Sequence, residues 1–173
     1  MFHLQKGINV DIATSQSLNG IVDFLSQPDI DLTFVRPLSQ RSTSIATRVL
    51  STFHKGFWLL ARQDALIIGC RGCNGIIGDK PGVLQFSTTA VAPAFQNQGL
   101  GRFLIQQGVE VAFQRYSPRI MVLDSWSGNT QFEHTVTKLG FVKSREYEDL
   151  VKRPLGIKTV EYILDCRNWP FRK

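Results

Sequence analysis

Val91-Ala92-Pro93-Ala94-Phe95-Gln96-Asn97-Gln98-Gly99-Leu100-Gly101-Arg102 is the stretch on which the reading of this chain turns. Val83 to Val91 reads as a strand, and Pro93 ends it by removing a ladder donor. From Gly101 onward, Phe103, Leu104, Val109, Val111, Ala112 and Phe113 supply apolar positions suited to one buried helix face. Between strand and helix, Gly99 and Gly101 let the backbone approach a ligand with no Cβ in the way. Several N–H groups at the helix start then aim at one point, where the helix dipole also favours negative charge. A pyrophosphate held by main chain is the expectation.

The spacing excludes two common nucleotide loops. A dinucleotide fingerprint needs a third glycine where Leu104 stands, and a phosphate-binding loop needs Gly-Lys-Ser/Thr, which is absent. Gln96-x-x-Gly99-x-Gly101 instead resembles the coenzyme A loop of the GNAT superfamily of N-acetyltransferases, whose pattern is Gln/Arg-x-x-Gly-x-Gly/Ala. Downstream, Asn129-Thr130-Gln131-Phe132 leads to Lys138-Leu139-Gly140-Phe141, similar to the family's later signature: an asparagine after the fifth strand, then a helix ending in Leu-Gly-Phe. Between the two lies the apolar run Ile120 to Leu123, inside a strand read from Arg119 to Trp126.

The rest of the chain is read as one mixed fold. Gly7 to Ala13 is a first strand, and Leu18, Ile21, Val22 and Leu25 form a helix broken at Pro28-Asp29. Ser39 to His54 is a second helix, stopped by Gly56. Phe57 to Arg62 and Ala65 to Cys70 make a hairpin around Gln63-Asp64, and Val142 to Glu148 and Lys158 to Leu164 are the last strands. That order resembles the GNAT fold along nearly the whole chain. The implied class is α/β: a mixed, mostly antiparallel sheet splayed between strands four and five and flanked by helices, in one domain over residues 1–173.

The resemblance also implies a site. Acetyl-coenzyme A is the expected co-substrate, with no metal. Backbone at Ala90 and Val91 would pair with the pantetheine arm. Gln96, Asn97, Gln98, Gly99, Leu100, Gly101 and Arg102 would hold the pyrophosphate, and Asn129 with Phe132 would flank the arm from the other side.

Catalytic groups depart from the family. The helical tyrosine that protonates the leaving thiolate is replaced by Val136, and the fourth-strand glutamate base by Gln85. A tyrosine introduced at Val136, one turn after Phe132, is expected to point toward the sulfur. Orientation of two reactants supplies effective molarities of about 10⁵ to 10⁸ M, against about 10² to 10⁴ for a positioned acid or base, so activity survives these losses. Substitutes are Gln85, Ser87 and Thr89, which period-two alternation sets on one face as a water relay. Asp124 is the nearby strand carboxylate, with pairing to a surface base or capping of the helix at Asn129 as its plain reading. Tyr147 could reach the thiolate, as could Tyr162, with core packing as the alternative for both.

Composition bounds the remainder. The chain has 173 residues, 43% hydrophobic, enough for one core. Its start lacks a signal-peptide apolar region and no run approaches the ~18 apolar residues of a membrane span, so a cytoplasmic protein is expected. Cys70-Arg71-Gly72-Cys73 has the C-x-x-C spacing but lacks two further zinc ligands. His134 and Glu133 read as surface residues. The net charge is +6, with Lys152, Arg153, Lys158, Arg167, Arg172 and Lys173 gathered near the end as a basic rim expected to serve the coenzyme. No nucleic-acid motif accompanies that charge. The reading is transfer of acetyl to a primary amine of a small molecule or protein, by direct attack in a ternary complex; a homodimer is left open. The alternative is a GNAT-fold module that binds acyl-coenzyme A and has lost chemistry.

Overall fold

A computed structural model describes residues 7–31, 43–150 and 152–168. Seven strands form one sheet in the order β1-β2-β3-β4-β5-β7-β6. They are β1 Ile8–Ile12, β2 Phe57–Gln63, β3 Leu66–Ile76, β4 Val83–Val91, β5 Ile120–Trp126, β6 Val142–Tyr147 and β7 Thr159–Asp165. Every neighbouring pair is antiparallel except β4 and β5, which run parallel. The helices are α1 Leu18–Leu25, α2 Pro28–Asp31, α3 Thr43–Lys55, α4 Leu100–Tyr116 and α5 Thr130–Lys138. None of the described helices is long and apolar enough to cross a membrane.

Several strand ends shift by one residue, and two boundaries differ in substance from the sequence reading. Pro28, expected only to break α1, opens the short α2, where its missing N–H is one no helix would pair. The strand expected to stop at Cys70 continues to Ile76, because β2 and β4 both go on pairing with it; Arg71, Gly72 and Cys73 therefore lie inside β3. Residues 39–42 of the expected second helix lie outside the described residues.

Alternation along the strands gives the sheet two apolar faces. Leu59, Ile68, Leu84, Phe86, Met121 and Leu123 pack with Leu104, Ile105, Val109 and Ala112 of α4 and Val136 of α5. Trp58, Leu60, Cys70 and Ala90 pack on the other face with Ile21, Phe24 and Leu25 of α1 and Ile45 and Val49 of α3.

Two irregularities in β4 create the site. First, Arg71 pairs with Thr89 but Cys73 pairs with Phe86, so β4 carries one extra residue at Ser87-Thr88, opposite Gly72. A Cβ at Gly72 would run into Ser87 Oγ and crowd the Trp58 ring at 3.0 Å, so a larger residue opposite the bulge must displace both. The bulge resets the alternation. Ser87 and Thr88 both turn toward α3, where Thr52 Oγ1 lies 3.5 Å from Ser87 Oγ and Arg48 Nη1 donates to Thr88 Oγ1 at 3.4 Å. Thr89 returns to the α4 face and accepts from Arg71 Nη1. The expectation that Gln85, Ser87 and Thr89 share one face is thus corrected: a two-residue period cannot carry across an inserted residue.

The second irregularity is the end of the parallel ladder. β4 and β5 pair at Val83↔Ile120, Leu84↔Met121 and Gln85↔Val122. Their pairing stops there, although both strands run on, β4 to Val91 and β5 to Trp126. The sheet is splayed between them.

Candidate active site

The glycine loop sits at the mouth of that splay. Asn97 and Gly99 have φ of 59° and 84°, and Gly99 is the N-cap of α4. Left-handed backbone at Gly99 would strain any residue with a Cβ, so the glycine is fixed by conformation before any ligand is considered. Gln96 Nε2 donates to the Val91 carbonyl and Gln98 Nε2 to the Ala94 carbonyl, both at 2.9 Å, so two side chains of the motif brace the loop. The first helical bond runs from Phe103 N–H to the Gly99 carbonyl at 2.9 Å, which directs the amides ahead of it out of the helix end. Gly101 is different from Gly99. A Cβ there would meet only Val91 Cγ2 at 3.7 Å, an ordinary contact, so folding does not demand the glycine and space over the helix end is open. Open space above directed amides fits a pyrophosphate-bearing coenzyme.

Asn129 and Phe132 stand across the mouth. Asn129 caps α5, its Oδ1 accepting from Phe132 N–H at 3.2 Å while its Nδ2 donates to Ser125 Oγ at 2.9 Å. Phe132 is half-buried, its ring edge-on to Tyr162 at 6.1 Å. Gln131 Nε2 donates to Asn97 Oδ1 at 2.8 Å, tying α5 to the glycine loop. The two sequence signatures, far apart in the chain, are in direct contact.

Deeper in, Gln85 occupies the last paired rung, and Asp124 lies two residues beyond its partner Val122. Both alternate away from the α4 core that takes Leu84, Phe86, Met121 and Leu123. Asp124 bonds Lys152 Nζ at 2.8 Å and Arg153 Nη2 at 3.4 Å. Its plain reading as a paired carboxylate therefore describes its geometry. Burial works against the charge on Lys152, but Asp124 outweighs it and holds the amine above its usual range. Tyr147 is elsewhere, on the outer strand β6 with Arg145 stacked 4.8 Å from its ring. Tyr162 is core, its phenol pushed up to about 12 chiefly by burial. Val136 is fully buried in the α4 and α5 core.

Two other features resolve plainly. Cys70 and Cys73 belong to opposite apolar faces, so they form no dithiol pair, and burial raises their thiols to about 12 and about 11. Among the described residues no group of three or more His, Cys, Asp or Glu is placed to hold a metal. Of the six terminal cations, Lys152 and Arg153 pair with Asp124, Lys158 with Glu146 at 3.8 Å and Arg167 with Asp165 at 2.6 Å; Arg172 and Lys173 lie outside the described residues. The described part of the expected rim is engaged with carboxylates.

Arg71 was missed by sequence reasoning. It is 1% exposed, under α4, with its guanidinium carbon 4.1 Å from the centre of the Phe86 ring. Nη1 reaches Thr89 Oγ1, while Nε and Nη2 have no hydrogen-bond partner among the described residues. Burial lowers its pKa to about 10, opposed by the fields of Cys73, Asp124 and Cys70, so it stays charged at neutral pH. Gly108 of α4 makes room for it: a Cβ there would sit 3.2 Å from Arg71 Cγ and 3.4 Å from Phe86 Cε1. Two signals in the sequence pointed to it, a lone arginine in an apolar strand and a glycine in mid-helix.

A family profile described as the acetyltransferase (GNAT) family matches residues 27–141. The chain belongs to that family. Among solved structures, it resembles yncA of Salmonella typhimurium, determined with its cofactor acetyl-CoA, at 17% identity and TM-score 0.75 over 92% of this chain and 94% of that one. It also resembles a ribosomal-protein-alanine N-acetyltransferase of Brucella melitensis, at 13% identity and TM-score 0.74 over 91% and 99%. A ribosomal-protein-S5-alanine acetyltransferase of Vibrio fischeri aligns at 15% identity and TM-score 0.74 over 97% of both chains. Among curated proteins none matches. The splayed sheet and the loop at its mouth are the family's architecture.

Proposed function

We propose that this protein, as one domain over its whole length, transfers an acetyl group from acetyl-coenzyme A to a primary amine by direct attack in a ternary complex. The observation that carries the reading is the coincidence of two features: a parallel ladder that stops at Gln85↔Val122 and a helix N-terminus whose leading amides open at the same cleft. In this reading residues 96–102 hold the pyrophosphate, the unpaired edge of β4 through Ala90 and Val91 receives the pantetheine arm, and Asn129 and Phe132 bound it opposite. The coenzyme supplies the activated acyl group. The chain's own residues orient it, keep its amide groups satisfied and admit the amine.

The amine is placed on the Gln85 face, where Ser87, Thr88 and Arg48 present polar atoms beside the bulge. With no free carboxylate at Gln85 and Asp124 tied to two cations, the ammonium proton leaves through water bound among these groups. The acceptor is a small molecule or a protein amine. Three buried free cysteines suit a reducing, cytoplasmic setting.

The test is thermal melting with acetyl-coenzyme A. A ligand bound only to the folded state stabilises by about 2.7 kcal/mol at a hundred times its dissociation constant. A rise in midpoint with acetyl-coenzyme A and little with adenine supports the reading; an unmoved midpoint at saturation removes it. One observation favours a second reading, a module that binds without turnover: Gln85 and the core-buried Val136 stand where the family's base and acid would be. Thiol release across a panel of amines separates the two, since a binding module gives saturation and no turnover.

A further inference from the structure

We infer that the Arg71 guanidinium stabilises the coenzyme's sulfur as the acyl–sulfur bond breaks, serving as a fixed cation in place of a proton donor; the inference rests on the coenzyme reading proposed above.

The first observation is that among the described residues no carboxylate pairs with the Arg71 guanidinium. A buried charge is ordinarily paired, because desolvation is costly and only an opposite charge or a full set of hydrogen bonds offsets it. Arg71 is buried and charged, yet its contacts are the Thr89 hydroxyl and the Phe86 ring, with Nε and Nη2 open. The second is that the fold makes a place for it. Gly108 sits in the middle of α4, where glycine is the poorest helix former after proline, and its missing side chain is the space Arg71 and Phe86 occupy. The third is position. The guanidinium lies over Phe86 and Thr89 of β4, the strand that borders the cleft, just where the bulge turns Thr89 to the α4 face. Val136 belongs to the same apolar face, so Arg71 works from the side where a helical phenol is missing. Asp124 on β5 adds its field to Arg71 across the splay.

The step balances as follows. The amine lone pair forms the carbon–nitrogen bond, the carbon–sulfur bond breaks with its electron pair on sulfur, and the ammonium proton passes to water. Arg71 keeps its own proton throughout. A fixed charge in a water-poor site stabilises developing anion without reorganising, and that gain substitutes for proton transfer to the sulfur.

The experiment uses the full chain and coenzyme A with its free thiol, following the ultraviolet absorption of the thiolate as pH is raised. In the parent, the bound thiol is expected to ionise at least about one unit below the ~8.5 of a free thiol. Arg71→Met should return it to the free value or above, and Arg71→Lys should keep part of the shift. Without ligand, Arg71→Met should melt no lower than the parent, because an apolar chain of similar length replaces an unpaired charge. A parent thiol that titrates as in solution overturns the inference whether or not any variant folds. So does Arg71→Met melting lower while its bound thiol titrates like the parent's, which is a purely structural role. A preference for succinyl- over acetyl-coenzyme A that Arg71→Met erases, with no change in thiol ionisation, also overturns it by assigning the cation to an acyl carboxylate. Failure of coenzyme A to bind the parent removes the proposed function and this inference together; binding with an unshifted thiol removes the inference alone.

Discussion

At the mouth of the cleft the proposed binding groups are backbone amides between Asn97 and Arg102, in a loop braced by Gln96 and Gln98 bonding carbonyls close in sequence. At its centre, Gln85, Arg71, Asp124 and Val136 arrive from β4, β3, β5 and α5. In the proposed site the mouth offers an anion main-chain dipoles, which depend little on which side chains stand there. The centre is all side chain, and each of its four groups is set by a long-range packing decision. In the proposed reading a family can keep the first while the second drifts: the loop spacing is intact, while the positions proposed for base and acid hold an amide and a core valine.

The sharpest way to break this contrast is at Gly101. Gly101→Ala adds a Cβ that meets only Val91 Cγ2 at 3.7 Å, so the fold should melt like the parent and acetyl-coenzyme A affinity should fall modestly. Gly101→Asp should fold as well, yet its carboxylate opposes the phosphates at the positive end of the helix. An affinity loss on the order of a hundredfold, about 2.8 kcal/mol at 1.4 per decade, is expected by calorimetry. If both variants bind like the parent, the loop is only a turn. Gly99 is no substitute for this test. Its φ of 84° means that alanine there strains the backbone by roughly 1–3 kcal/mol, and lost affinity would not distinguish a ligand contact from a damaged loop.

The second prediction concerns the centre. From helical spacing alone, a tyrosine at Val136 should reach the sulfur. The structure instead gives Val136 no exposed surface among Leu139, Phe141 and the α4 side chains. Val136→Tyr therefore overpacks the core and should cost about 1–3 kcal/mol, read as a lower unfolding midpoint in denaturant, with no gain in thiol release. A variant that melts like the parent and turns over faster would mean that the site lacked only its phenol, and the contrast between mouth and centre would lose its second half.

These cases also show what a sequence can reveal. The loop, the two signatures and the strand order were legible because each depends on neighbours within a few residues: Pro93 stops β4, Gly99 turns the chain, Asn129 caps α5. The bulge was not legible, because an extra residue in β4 exists only relative to its register with β3; the alternation that keeps Gln85 and Ser87 on one face fails at Thr89. Arg71 was hidden behind a C-x-x-C spacing that drew attention to the cysteines on either side of it. The Asp124 pairs with Lys152 and Arg153 span a loop whose path no periodicity describes.

The smallest expected effect sharpens the comparison from outside the cleft. Tyr147 was a candidate proton source, yet it lies on β6, separated from β5 by β7, with its ring under Arg145. Its influence reaches the cleft only through the fields it adds at Lys152 and Arg153, the cations bound to Asp124. Removing the hydroxyl while keeping the ring preserves the stacking on Arg145, so Tyr147→Phe should leave the melting midpoint, the rate of thiol release and its pH profile unchanged. A drop in rate would overturn this expectation: the phenol must then enter the cleft when the amine is bound. In that event the centre would borrow its acid from the edge strand, and Arg71 would share the sulfur with a second group.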